Sequence, residues 1–232
     1  MTDERLAEFA LGRGQRVREP DVPLIVLVGG ATGTGKSTVT TEVAHRLGIT
    51  RVSSTDFVRQ TMRAFFAKDF MPSIHYSSFE AGSGVTIPDD EQTDPNLLGF
   101  LDQTRNVLVG VRAVLERALE EGYSMALEGV HVVPGLLPSS LGEAIVCQCL
   151  LAIDDEEEHA SHFWIRDLTS GGVRPVEKYL AALPKIRRIQ DYLVECAGKE
   201  GIPVVQNSRM EEAIDSVIEL VLAKLEDARA LT

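Results

Sequence analysis

Short apolar runs alternate with longer stretches in which apolar residues recur every three or four positions, from residue 24 to the end of the chain. "LIVLVG" (24–29) reads as a buried strand, "KSTVTTEVAHRLG" (36–48) as a helix closed by Gly48, and "TRVSS" (50–54) as a second strand. "STDFVRQTMRAFFAKDF" has a capping-type start and helical spacing. From 71 to 96 the pattern dissolves into Gly, Pro, Ser and Asp, predicting a long functional loop. Helical spacing returns through Leu97, Leu101, Leu108, Val111, Leu115 and Leu119 and stops at Gly122. "YSMALEG" and "AIVCQCLLAID" predict the third and fourth strands, and "DEEEHASHFWIRDL" predicts a helix with an acidic first turn. A helical run from 176 to about 198, interrupted near Pro184, precedes the fifth strand, "IPVVQN". Ile214, Val217, Ile218, Val221 and Leu225 mark one face of a closing amphipathic helix.

Five strands separated by helices imply a parallel sheet, because parallel neighbours need crossovers and continuous Val/Ile/Leu strands need cover on both faces. The expectation is an α/β three-layer sandwich with a mainly parallel five-stranded sheet. Residues 1–22 read as an N-terminal arm and 23–232 as one domain, with 71–96 on the substrate side and 155–178 as a lid region.

Composition narrows the function. A charged fraction of 25% and a hydrophobic fraction of 44% are ordinary for a soluble protein. The apolar runs are too short to span a bilayer, and the N-terminus lacks a signal peptide's apolar core, so a cytoplasmic location is expected. A net charge of −12 argues against a broad nucleic-acid surface and requires a local basic pocket for any anionic substrate. Cys147 and Cys149 alternate along a strand and, with Cys196, read as free thiols. A homodimer stays open.

The strongest chemical signal follows the first strand. Gly30, Ala31, Thr32, Gly33, Thr34, Gly35, Lys36 and Ser37 fit G-x-x-x-x-G-K-[ST], between a strand and a helix as the motif requires, with Thr38 just behind. Glycines allow successive backbone N–H groups to turn inward, the helix start adds partial positive charge, Lys36 reaches the terminal phosphates and Ser37 would hold Mg²⁺. Such a loop says nucleotide without saying what the nucleotide is used for.

Candidates for the acceptor side lie elsewhere. Asp56, Arg59 and Arg63 fall at i, i+3 and i+7 just past the second strand, where an Asp could orient or deprotonate a hydroxyl and arginines could clamp an anion. Glu128 ends the third strand, placed to hold a metal's water shell or act as the base. His131 is ambiguous, since a loop histidine without a metal-type partner is more often structural. Arg166, Arg174 and Lys178 flank a glycine-containing connection with the composition of a lid. Asn207, after the fifth strand, is expected beside the nucleotide on sheet geometry.

"GGATGTGKST", "STDFVRQTMR", "MPSIHYSSFEA", "ALEGVHVVPGLL", "RPVEKYL", "IRRIQDYLVECA" and "GIPVVQN" resemble, in that order and over about residues 24–222, the 2-phosphoglycerate kinase family of P-loop kinases. The resemblance implies a P-loop kinase sandwich with a helical lid, ATP and Mg²⁺ as cofactors, and transfer to the free hydroxyl of 2-phosphoglycerate, giving 2,3-bisphosphoglycerate. It implies that Arg59 and Arg63 hold the acceptor's phosphate and carboxylate, that Asp56 or Glu128 faces its hydroxyl, and that Arg174 belongs to the lid. His75, Ser77, Ser78, His131 and Lys178 complete the expected substrate set, and Arg166 the nucleotide set. Other phosphorylated polyols or acids, such as inositol phosphates, and a regulatory ATP-binding protein stay open as alternatives. A nucleoside kinase is disfavoured, because "EGVHVVPG" stands where a D-G-x-P-R-like segment would follow the third strand.

Overall fold

The computed structural model describes residues 22–85, 94–170 and 176–230, of 166–170 the backbone alone. Residues 1–21 of the N-terminal arm, residues 86–93 of the expected substrate-side loop, the side chain of Arg166 and all of Arg174 lie outside the described residues.

Five strands form one sheet: β1 (Leu24–Gly29), β2 (Arg51–Ser54), β3 (Met125–Gly129), β4 (Ile145–Ala152) and β5 (Val204–Gln206). Their order is β2-β3-β1-β4-β5, and every pairing is parallel. β1 is central, with Val28 opposite Glu128 on one side and Cys149 on the other. The chain leaves β1 for the β2 edge, returns through β3, and only then crosses to β4. That reversal opens a crevice at the carboxyl ends of β1 and β3, where ligands bind in sheets of this kind.

Helices cover both faces. α1 (Lys36–Arg46) and α7 (Met210–Ala230) bury Val39, Val43, Ile214, Val217 and Val221 against Leu24, Val26 and Val28. α2 (Thr55–Phe65) and α3 (Pro95–Glu120) bury Val58, Val107, Val111 and Leu115 against Ile25 and Leu27. Successive β1 side chains therefore enter opposite cores, which explains the unbroken apolar run. Cys147 and Cys149 share the first core as free thiols. Burial raises both thiol pKa values, that of Cys147 to about 11.

α4 (Glu156–Ser170), α5 (Val176–Ala181) and α6 (Leu183–Glu200) follow β4. The predicted interruption separates α5 from α6, and Pro184 sits in the first turn of α6, where its missing N–H costs no helical bond. The inward stripe of α3 differs from the expected one: Phe100, Gln103, Thr104, Val107 and Ala118 are fully buried, while Leu97, Leu101 and Leu119 are partly exposed. α3 also packs against the segment before it, which shifts its buried face.

That segment, the first part of the expected long loop from residue 71, is packed into the fold. Pro72–His75 and Ser78–Gly84 are 3₁₀ turns, and Ile74, Phe79 and Ala81 are buried. Gly99 permits the close approach, since a Cβ there would fall on the Ala81–Gly82 peptide. Apolar side chains at three- and four-residue intervals were too few to announce this packing. Among the described residues no helix is long and apolar enough to cross a membrane.

Candidate active site

The phosphate loop wraps from β1 into α1, with Gly35 as the helix N-cap at φ 78°. Lys36, Ser37 and Thr38 open the helix, so their amides have no partner within it and face the crevice end. The loop's carbonyls are held from the other side. Ala31 O accepts from Lys36 Nζ (2.7 Å) and Thr34 Oγ1 (3.0 Å). Thr32 O accepts from His159 Nε2 (2.9 Å), Gly33 O from His162 Nδ1 (3.1 Å) and Thr34 O from Asn207 Nδ2 (2.9 Å). Gly33, at φ 90°, fits beneath α4 only because it lacks a Cβ, which would meet the Phe163 ring at 2.5 Å. Fixing four successive carbonyls orients the intervening peptide dipoles before any anion arrives.

Asn207 was expected beside the nucleotide's base. It is instead buried behind the loop, anchored by its own N–H to Ala152 O (2.9 Å). His159 and His162 were not singled out as loop partners by their spacing. The only sequence signal is their i, i+3 separation beside Phe163 in an otherwise acidic helix.

Glu128 projects from the end of β3 and accepts from Ser37 Oγ at 2.8 Å. Lys36 is buried beside it: burial lowers the ammonium's pKa, while Glu128 and then Asp56 pull it back up. A cavity of about 370 Å³ opens next to this group, lined by Ser37, Thr41, Ser53, Ser54, Phe57 and Glu128. None of its lining residues among those described is basic. Among the described residues no three His, Cys, Asp or Glu side chains gather into a metal cage. A hydroxyl and one carboxylate suit a hard cation that keeps most of its water and takes its other oxygens from phosphates.

The expected arginine clamp is built differently. Ser54 caps α2, and Asp56 in its first turn accepts from Arg59 Nε (2.9 Å) and Nη2 (2.7 Å) through one oxygen. Arg59 Nη1 donates to Ile74 O and Tyr76 O, both at 2.8 Å. Four of its five N–H groups are thus engaged inside the protein, and Arg59 braces Asp56 and the 3₁₀ segment rather than presenting a free fork. Replacing Arg59 with Met should lower the unfolding free energy by about 1–3 kcal/mol, because buried Ile74 O loses its donor. Urea denaturation checks this; unchanged stability with a raised acceptor KM would restore the clamp.

Arg63 is exposed and donates to Gln60 Oε1 (2.9 Å). His75 Nε2 donates to Phe66 O (2.9 Å), Ser77 hydrogen-bonds Glu80, and Ser78 Oγ lies 3.5 Å from Thr32 Oγ1. Lys178 pairs with Glu80 at 2.9 Å. His75 and Lys178 are thereby engaged within the protein, and Ser78 alone of the substrate-side trio touches the phosphate loop.

His131 is enclosed. Gln103 Nε2 donates to Ser73 O (2.6 Å) and Tyr76 O (3.0 Å), so its Oε1 is the acceptor for His131 Nε2–H (3.0 Å). Nδ1 then accepts from Thr55 Oγ1 (2.9 Å), which fixes a neutral tautomer and removes His131 from contact with a substrate. Burial, helped by the Arg59 guanidinium, lowers its pKa to about 3. Burial lowers His159 to about 4.

Both folded-state values lie below the ordinary 6.5, so the unfolded chain binds more protons as pH falls and stability is lost in that direction. The loss begins near pH 6.5 and levels off only near the folded pKa values, with His131 contributing up to about 1.4 kcal/mol per pH unit. Urea unfolding at pH 7 and pH 5 should show the decline, and His131→Gln should flatten it. An equal slope in wild type and variant would contradict this origin.

Comparison with known proteins adds a lineage. The chain is 40% identical over 225 residues to the 2-phosphoglycerate kinase of Methanopyrus kandleri, covering 96% of this chain and 68% of that protein. It is 42% identical to the 2-phosphoglycerate kinase of Thermococcus kodakarensis, covering 92% and 71%. No family profile matches the chain. Among solved structures, a gluconokinase from Sinorhizobium meliloti 1021 aligns at 16% identity over 90% of this chain and 95% of that one, with a TM-score of 0.46. At that score the likeness is weak.

Proposed function

Because the chain belongs to the 2-phosphoglycerate kinase family, we propose that it transfers the γ-phosphoryl group of ATP to the one free hydroxyl of 2-phosphoglycerate, giving 2,3-bisphosphoglycerate. The observation that carries the reading is the Ser37–Glu128 contact directly behind the phosphate loop, with buried Lys36 beside it, in a chain this similar to kinases of that name. Ser37 and Glu128 are the residues that would hold Mg²⁺, directly or through its water; bound there with ATP, the ion would neutralise charge on the phosphates.

The chain's own groups supply the rest. Amides at the start of α1 receive phosphate oxygens, and Lys36 places a fixed positive charge where charge builds up in transfer. Asp56, oriented by Arg59, is our choice to align the attacking hydroxyl, with Glu128 left to the metal side. Arg63 and Arg174 are assigned to the acceptor's phosphate and carboxylate, the net charge of −12 requiring local cations there. Catalysis on this reading is mainly positioning and charge stabilisation.

The test is ADP release from Mg·ATP with 2-phosphoglycerate, 3-phosphoglycerate, glycerate and inositol monophosphates as acceptors. Stimulation by 2-phosphoglycerate alone is expected. Stimulation by a different compound would keep the kinase and replace its substrate; no stimulation by any, with ATP bound, would point to a regulatory nucleotide-binding protein.

A further inference from the structure

The phosphate loop is tied to the substrate-side turn by a route that bypasses the reacting groups. His159 donates to Thr32 O, and its ring stacks on Phe163 with centroids 5.5 Å apart and planes at 20°. Phe163 stacks on Tyr179 of α5 at 5.2 Å and 11°, and Tyr179 meets Phe79 edge-on at 5.9 Å. Phe79 belongs to the 3₁₀ turn that also carries Ser78, beside Thr32, and Glu80, paired with Lys178. Four rings therefore run without a break from a loop carbonyl, through the two helices of the lid region, to the turn facing the acceptor side.

Such a column is stiff, because ring pairs in close contact repack in discrete steps rather than deform smoothly. The imidazole end is special. His159 is fully buried, its Nε2 must carry the hydrogen to serve a carbonyl, and its Nδ1 has no hydrogen-bond partner among the described residues. A buried nitrogen left unpaired is a cost that a leucine at this place would not carry, so a packing role alone gives no reason for histidine.

We propose that His159 is a positioning residue for the nucleotide: it fixes the Thr32 peptide of the phosphate loop and, through Phe163, Tyr179 and Phe79, holds that loop in register with the acceptor-side turn. The proposal rests on the kinase reading of the loop and deepens it. His159 touches no phosphate on this account; it acts by orienting the peptide whose neighbouring N–H groups do.

The experiment measures Mg·ADP affinity by titration calorimetry, independently of any acceptor, in wild type, His159→Leu, His159→Gln, Tyr179→Leu and Tyr179→Phe, with thermal melts as the folding control. His159→Leu should weaken ADP about tenfold, the equivalent of one well-placed hydrogen bond. His159→Gln, whose amide nitrogen reaches the place of Nε2, should restore most of that loss, which a role in packing alone would not predict. Tyr179→Leu should weaken ADP by several-fold and Tyr179→Phe should not. Should His159→Leu not fold, the glutamine and the Tyr179 pair still decide. Wild-type affinity in folded His159→Leu, or in Tyr179→Leu, overturns the proposal; a wild-type protein that does not bind ADP overturns the kinase reading with it.

Discussion

Lys36→Ala should remove phosphoryl transfer and leave the protein folded. The ammonium is buried against the loop and donates to Ala31 O at 2.7 Å, a carbonyl that Thr34 Oγ1 also serves, so truncation orphans no acceptor. Burial makes the charged form unfavourable, and its removal relieves that strain; Glu128 keeps its hydrogen bond from Ser37. The loss falls on the reaction, where a fixed cation meets charge developing on the transferred group. Removing one such donor from a preorganised site costs about 10²–10³ in kcat, and a full charge at the phosphates should cost at least that. ADP release under saturating substrates, alongside the thermal melt, gives both quantities. Residual turnover above a tenth of wild type in a folded variant would take the loop out of the mechanism.

The second large effect concerns Glu128. Glu128→Gln keeps an oxygen for Ser37 Oγ and nearly the same volume, so the end of β3 should hold its geometry. The charge is what goes. With one hydroxyl and one carboxylate as the protein's share of a divalent site, its loss should shift the Mg²⁺ dependence to higher concentration and lower activity at fixed Mg²⁺ by about 10–100-fold, the range for losing a group that orients a metal's ligands. A Mg²⁺ titration of activity separates the outcomes. A fall in kcat that excess Mg²⁺ does not relieve would assign Glu128 to proton transfer, and unchanged kinetics would refute both roles.

The core and the loop were legible because both are written locally. The run from Leu24 to Gly29 must be covered on both faces, and the structure divides it between two cores residue by residue. The loop's glycines, lysine and serine occupy contiguous positions, and their backbone angles are set by the residues themselves. Asp56 to Arg63 shows the opposite case. Their spacing placed them correctly on one helix, yet Arg59 turned inward to carbonyls 15 and 17 positions away, which no helical periodicity contains. His131 likewise found Thr55 and Gln103, at separations of 76 and 28, and became an interior hydrogen-bonding group.

The sequence by itself therefore determined the sheet, the direction of its strands, the phosphate loop and the kinase lineage, since hydrophobic period and glycine dihedrals act over a few residues and are written in contiguous stretches of the chain. Tertiary structure decided which polar side chains remain available to a substrate and which are consumed in holding the site. His159, His162 and Asn207 reach the loop from 127, 129 and 173 positions away, and Arg59 and His75 are engaged by backbone carbonyls. A buried carbonyl takes whatever donor the folded chain brings within about 3 Å, and that neighbour is fixed by how the layers pack rather than by distance along the chain.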